Sequence, residues 1–263
     1  MESFDGDYWY RSPGDQGGAV CGLFVIAHPE QLIQITFNKF DIDCESGGLL
    51  AMVDGWETQG QFFPSDEDHQ LPFEMRYQTY CGGEAPTVFI SSQNVALIQY
   101  RIPTVEEGFH ISVRMIDNPE PCNVVTMIDH GVMSISNHGH RRNCSVSIMY
   151  PENIKLLNVD VGKTHHIPTQ VWKNGLTRHC KKRMRDDYVE LLTGPGLDSS
   201  LMKSIQDFCG LSSRPGAAMV PLACGHAVVR LVSSGNYYNS VTFGFEGLTD
   251  DVYVQYATKQ CMD

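Results

Sequence analysis

HPEQLIQITF (residues 28–37) and YPENIKLLNV (residues 150–159) are one phrase written twice. Each follows a cysteine, Cys21 or Cys144, turns at Pro-Glu and enters an alternating apolar run. The surroundings repeat in the same order. Cys44 leads to GGLLAMVDGWETQG, an apolar run stopped by Asp54-Gly55, and Cys180 leads to DDYVELLTGPG, again stopped by a glycine turn. Glycine marks such turns because it reaches backbone conformations closed to other residues. Cys81 is followed by SSQNVALIQYRI and Cys209 by HAVVRLVSSGN; FHISVRMI and NSVTFGFEGL close the two copies. A match of this period predicts tandem domains of one fold. Pro119 and Pro121 in DNPEPC stiffen the chain at the seam, which separates residues 1–118 from 119–263.

Each copy has many short alternating runs with turn signals between them, and almost no helical periodicity. The expected class is all-β, two tandem β-sandwich domains. A short helical turn is predicted within SLMKSIQDF (200–208), where Leu201, Ile205 and Phe208 share one helical face. Hydrophobic residues make up 42% and charged residues 19%, enough apolar material for packed cores and against disorder. The formal charge of −12 argues against a nucleic-acid backbone or an anionic membrane surface as partner. No apolar run is long enough to span a bilayer.

Nine cysteines stand at wide intervals, without a C-x-x-C pair. That spacing does not fit zinc and reads as a disulfide framework in a secreted protein. Pairing within each copy gives Cys44–Cys81, Cys122–Cys144 and Cys180–Cys209, with Cys224–Cys261 pinning the C-terminal tail. Closing the first of these loops removes roughly 4 kcal/mol of unfolded-state entropy. Cys21 is left over, and the repeat places its partner about twenty residues earlier, near or beyond Met1. Asn143-Cys144-Ser145 is an N-glycosylation sequon, in keeping with secretion. MESFDGDYWY has no signal-peptide apolar core, so a signal sequence and a tenth cysteine are expected upstream.

The scheme C…P-E…C…strand-D-G…C…S-x-x-N…strand…G-F is similar to the CUB domain, a jelly-roll sandwich of extracellular proteins. DGWETQGQFFPSDEDHQLPFEMRY, PCNVV, HRRNCSVSIMYP, DDYVELLTGPGLDSSLMKSIQDFC and VVRLVSSGNYYNSVTF go further and resemble the corticotropin-releasing factor-binding protein family, in order, over nearly the whole chain. The resemblance implies a secreted, monomeric glycoprotein with its glycan at Asn143. It implies disulfides between sequentially adjacent cysteines, with the partner of Cys21 about where Glu2 stands. It implies a protein that sequesters amphipathic helical peptide hormones of the corticotropin-releasing factor type and limits receptor activation. For an invertebrate source the ligands would be diuretic-hormone-like peptides. Many CUB domains also hold calcium. Here Gly48 stands near one expected acidic position, and Asp186 and Asp187 lack obvious companions, so no metal and no cofactor are expected. The competing role is a calcium-dependent CUB-type adhesion or receptor-assembly module.

No enzyme signature is present: G-x-S-x-G, H-E-x-x-H and a phosphate-cradling glycine loop are all missing. The histidines of HGH (138–140), THH (164–166) and RHC (178–180) read as loop residues, Asp68-His69 lacks a nucleophile, and KKRMR (181–185) reads as a solvated loop. A helical peptide needs an apolar platform with aromatic anchors. The candidates are Tyr8, Trp9 and Tyr10 in DYWY and Trp56, Phe62 and Phe63 in DGWETQGQFF, with Tyr237 and Tyr238 as weaker ones.

Overall fold

A computed structural model describes residues 1–14, 19–83, 85, 87–162, 176–212 and 219–261. The chain forms two units. The first comprises Met1–Phe62 and Leu71–Pro119, the second Phe63–Gln70 and Glu120–Asp263. The change of unit after Pro119 falls one residue from the seam read in the sequence. Residues 63–70, which the sequence reading left with the first domain, belong to the second unit.

The first unit is built from β1 (Gly6–Arg11), β2 (Cys21–Ile26), β3 (Gln31–Asp41), β4 (Leu49–Val53), β5 (Trp56–Thr58), β6 (Gln61–Phe63), α1 (Phe73–Arg76), β7 (Tyr77–Tyr80), β8 (Val88–Ile90), β9 (Val95–Arg101) and β10 (Gly108–Asp117). Two four-stranded sheets, ordered β1-β10-β3-β8 and β2-β9-β4-β7, form its two layers. Ile33, Ile35, Ile111 and Val113 from one layer join Val25, Leu50, Met52, Ala96 and Ile98 from the other in one buried core. Gly108 is required where β10 meets β1: a Cβ there would lie 1.9 Å from the Tyr10 carbonyl oxygen.

The second unit contains β11 (Val124–Thr126), β12 (His130–Ser136), β13 (Cys144–Ile148), β14 (Glu152–Val161), β15 (Leu176–Arg178), β16 (Tyr188–Gly194), β17 (Lys203–Ser212), β18 (Val220–Leu222), β19 (His226–Val232), β20 (Ser240–Gly247) and α2 (Asp250–Gln260). Its strands join in one ten-stranded sheet, because β17 pairs with β14 as well as β16, but the neighbour relations of the first unit recur. The order β12-β20-β14-β18 matches β1-β10-β3-β8, and β13-β19-β16-β17 matches β2-β9-β4-β7. In each copy the Pro-Glu turn joins the second of these strands to the third, so the duplicated phrase marks the same crossing between layers. The pairs Cys44–Cys81, Cys122–Cys144, Cys180–Cys209 and Cys224–Cys261 are all formed, and Cys21 is free.

The helical turn expected around 200–208 is confined to its first residues. A 3-10 turn covers Ser199–Leu201, and β17 starts at Lys203. Phe208 pairs with Val189 in β16, and Cys209 is bonded to Cys180, so sheet pairing overrides a local helical pattern.

The outer face of the β13-β19-β16-β17 sheet carries charge. Arg230 and Glu190 stand directly opposite each other in register. The Arg230 guanidinium is buried; its Nη1 donates to Glu190 Oε1 at 2.9 Å, its Nε to Asp68 Oδ1 at 2.8 Å and its Nη2 to Glu67 Oε2 at 2.9 Å. Burial works against its charge, but Asp68 and Glu190 outweigh that and hold the proton more tightly than usual. Ser199 Oγ donates to Asp68 Oδ2, and Asn123 and Asn143 donate to the Asp68 and Glu67 carbonyls. This set of bonds seats segment 63–70 on the second unit.

Glu152 is the opposite case. It is fully buried, and among the described residues no donor reaches either carboxyl oxygen. Burial first, then the nearby negative charges of Asp129 and Glu246, push its pKa from 4.5 to about 7.

Asp68→Ala leaves the buried Arg230 Nε without its acceptor, with Glu190 and Glu67 still in place, and is expected to cost about 1–3 kcal/mol, measured by urea unfolding; an unchanged midpoint would contradict the assignment. For Glu152, the unfolded carboxyl ionises from pH 4.5 upward while the folded one stays protonated to about 7, so its penalty grows with pH across that window. Glu152→Gln should therefore gain stability relative to the parent as pH rises from below 4.5 to above 7, read as a widening difference in melting temperature.

Candidate functional site

Strand β1 has the sequence GDYWYR, and the pleat sorts it. Tyr8 and Tyr10 turn inward, with the Tyr10 ring 4.6 Å from that of Tyr100. Asp7, Trp9 and Arg11 turn outward. Trp9 is 76% exposed. A tryptophan so presented is unusual, because its large apolar surface favours burial. β1 is the end strand of its sheet.

Registers define the face that Trp9 shares. Trp9 lies opposite His110, which lies opposite Lys39. The next row is Asp7, Ser112, Thr36 and Val88; the next holds Arg114, Gln34 and Ile90. Val88 and Ile90 are 45% and 51% exposed. The face thus has an aromatic edge at β1 and an aliphatic edge at β8, about 14 Å apart at ordinary strand spacing. Charges of both signs lie between and beside them. A line of polar bonds stiffens the centre: Asn38 Nδ2 donates to Ser112 Oγ at 2.7 Å, and Ser112 Oγ donates to Asp7 Oδ1. Such a surface offers apolar contact at two edges and ionic or hydrogen-bonding groups in the middle, which suits an amphipathic polypeptide.

The six aromatic candidates do not gather on one surface. Trp56 is 4% exposed; its Nε1 donates to the Val25 carbonyl at 3.1 Å and its ring meets the edge of Phe24. Trp56 covers the outer side of the β2-β9-β4-β7 sheet, where Leu97 and Val53 are fully buried. Phe63 is buried and counts with the second unit. Phe62 packs against Phe73 at 4.7 Å, with the Arg76 guanidinium 5.7 Å from its ring centre. Tyr8 and Tyr10 are half-buried, which leaves Trp9. Tyr238 in the second unit is exposed, with His138 beside it at 6.4 Å. Val88 and Ile90 escaped the sequence reading. Their signal is the alternation in TVFI (87–90): with Phe89 packed on the core, its neighbours must point out.

The other polar constellations are occupied or scattered. Asp68 takes up Arg230, so it does not act as a partner for His69 in a triad. His138 reaches the Pro121 carbonyl and His140 approaches Glu120. His179 is exposed, and His165 and His166 lie outside the described residues. Asp187 accepts from Ser233 Oγ, Ser234 N, Ser234 Oγ and Asn239 Nδ2, a shell of neutral donors rather than the oxygen cage that calcium requires. Among the described residues no group of three or more His, Cys, Asp or Glu converges for a metal. Asn143 lies on the rim of a polar cleft in the second unit, whose wall includes Arg141, Arg185 and Asp186.

Two family models match the chain. Corticotropin-releasing factor binding protein N-terminal domain matches residues 1–117, and Corticotropin-releasing factor binding protein C-terminal domain matches residues 124–253. Corticotropin-releasing factor-binding protein of Xenopus laevis is 38% identical over 249 residues, covering 94% of this chain and 75% of that protein. The Homo sapiens protein of the same name is 35% identical, over 94% of this chain and 74% of its own length. Among solved structures, the CUB1-EGF-CUB2 domain of human MASP-1/3 covers 92% of this chain and 99% of its own, at 13% identity and a TM-score of 0.32, too distant to carry weight.

The contrast between the two tryptophans is testable without a ligand. Trp56→Ala is expected to cost about 3–5 kcal/mol in urea unfolding. Trp9→Ala should change stability by less than about 0.5 kcal/mol. Equal costs would contradict the placement of the two side chains.

Proposed function

The chain belongs to the corticotropin-releasing factor-binding protein family, and on that footing we propose that it binds peptides of the corticotropin-releasing factor type. The observation that carries the reading is the match of both family domains together with 35–38% identity to binding proteins over 94% of the chain. The family is one of hormone binders and not of enzymes. The protein is a secreted, monomeric glycoprotein that holds its peptide away from receptors, with diuretic-hormone-like peptides as ligands in an invertebrate. Its four disulfides and the surface position of the sequon Asn143 support secretion. Among the described residues no helix is long and apolar enough to cross a membrane.

The binding surface is the outer face of β1, β10, β3 and β8. A peptide helix lays its apolar stripe across Trp9, Val88 and Ile90, while Lys39, Arg114 and Asp7 meet its polar flanks. Ordering a free peptide into a helix costs several kcal/mol, so one buried aromatic must contribute strongly. Trp9 is the exposed residue suited to that role.

Isothermal titration of a corticotropin-releasing-factor-type peptide tests this. Trp9→Ala is expected to weaken binding by about 2 kcal/mol, roughly 30-fold, with the fold intact. A chelator should leave affinity unchanged. Unaltered affinity in folded Trp9→Ala removes this face from the account, and absence of binding by the parent protein removes the function.

A further inference from the structure

The second unit contains a cavity of about 600 Å3 with Glu152 in its wall. The other walls come from Met127, Ile128 and Asp129 before β12, from Tyr150 in the Pro-Glu turn, and from Tyr253 on α2. The helix side is fixed. The Gln260 side chain accepts from Ala223 N and donates to the Pro221 carbonyl, and Cys261 is bonded to Cys224. The cavity is therefore formed before anything enters it.

Its chemistry is one-sided. Glu152 is completely buried, with both oxygens unmet by any donor among the described residues. The charged groups that face it are Asp129 from the turn before β12, His130 at the start of β12, Glu246 on β20 and Asp250 at the start of α2. Three of these are acidic, and His130 is already engaged with Asp129 at 2.6 Å. An anion is repelled here. Both carboxyl oxygens lie covered beneath the cleft surface, so a cation pairs with Glu152 when its side chain turns toward the cleft, where further negative charge surrounds it. The remaining surface is aromatic and aliphatic, and Ile128, Tyr150 and Tyr253 stay substantially exposed beside the cavity. Such walls suit a methylene stem that carries a charge at its end, and tyrosine faces attract cations in addition. The exposed apolar margin suits a polypeptide backbone on either side of that stem.

We propose that this cavity binds the side chain of a lysine or arginine presented by a polypeptide, with its ammonium or guanidinium group paired to Glu152. The site is independent of the surface on the first unit. Binding requires the ionised carboxylate, so a cation that enters a protonated site displaces the Glu152 proton to solvent. The carboxyl titrates at about 7, held up by burial, Asp129 and Glu246 against His130.

Amide chemical shifts of the isotope-labelled full chain test the assignment, with Nα-acetyl-arginine amide as probe. Saturable shifts are expected at millimolar probe in residues 127–130, 150 and 247–253, because these surround the cavity. Only the ionised fraction is competent, so affinity should fall roughly 30-fold between pH 8 and pH 5.5. Nα-acetyl-citrulline amide, the neutral near-isostere, should not bind, and Glu152→Gln should weaken the arginine probe at least tenfold with its spectrum otherwise retained. If that variant does not fold, the pH series on the parent chain decides alone. Equal binding of the citrulline probe, pH-independent binding, full affinity in Glu152→Gln, or shifts confined elsewhere would overturn the proposal. Free agmatine binding as tightly as the blocked amino acid would overturn the assignment to a polypeptide.

Discussion

A guanidinium taken out of water must be met by acceptors, and Arg230 is the constraint on which the second unit turns. Its two ends are served by different parts of the chain. Glu190 lies across from it on β16, while Asp68 and Glu67 arrive from the segment between β6 and α1. Glu190 is further braced by Lys181 at 3.1 Å. The charges thus form a set of cations and carboxylates close to balance, the condition under which buried ions are tolerated. Without Asp68 the buried guanidinium would keep Glu190 and Glu67 but lose the acceptor of its Nε. Residues 63–70 are held on the second unit by these bonds, with Phe63 buried at the start of the segment.

The two units solve one problem differently. The β2-β9-β4-β7 sheet of the first unit and the matching β13-β19-β16-β17 strands of the second each have an outer side to cover. In the first unit Trp56 does this with an indole that packs on Phe24 and bonds the Val25 carbonyl. In the second the cover is segment 63–70 and its ions. On the outer face of the other sheet of the first unit, Trp9, Val88 and Ile90 stand exposed at the edges. The same aromatic richness therefore serves two ends, interior cover at Trp56 and an open surface at Trp9.

Much of this was legible in the sequence, for definable reasons. The Pro-Glu phrase and the cysteine order repeat because they fix the crossing between layers and the loops that close it, and both are local in sequence. The four disulfide pairs were readable from the same repeat. Trp56 was not readable as interior, because a turn signal such as Asp54-Gly55 says nothing about what folds over the turn. Nor was residue 68's partnership with residue 230, since a charge pair separated by 162 positions leaves no periodic trace. The 200–208 segment misled because its apolar spacing fits one helical face, while the pairing with β16 that overrules it is remote. Glu152 stood inside the duplicated phrase itself, yet its burial without a donor depends on four elements that meet only in three dimensions.

The central claim is that a peptide of the corticotropin-releasing factor type docks on the open sheet face of the first unit. Amide hydrogen exchange of the protein with and without saturating peptide examines it most directly. Slowed exchange is expected in β1, β8 and β10, with the backbone of β2 and β9 unaffected. Tight binding with protection confined to other strands, or with β1 and β8 unchanged, would contradict it.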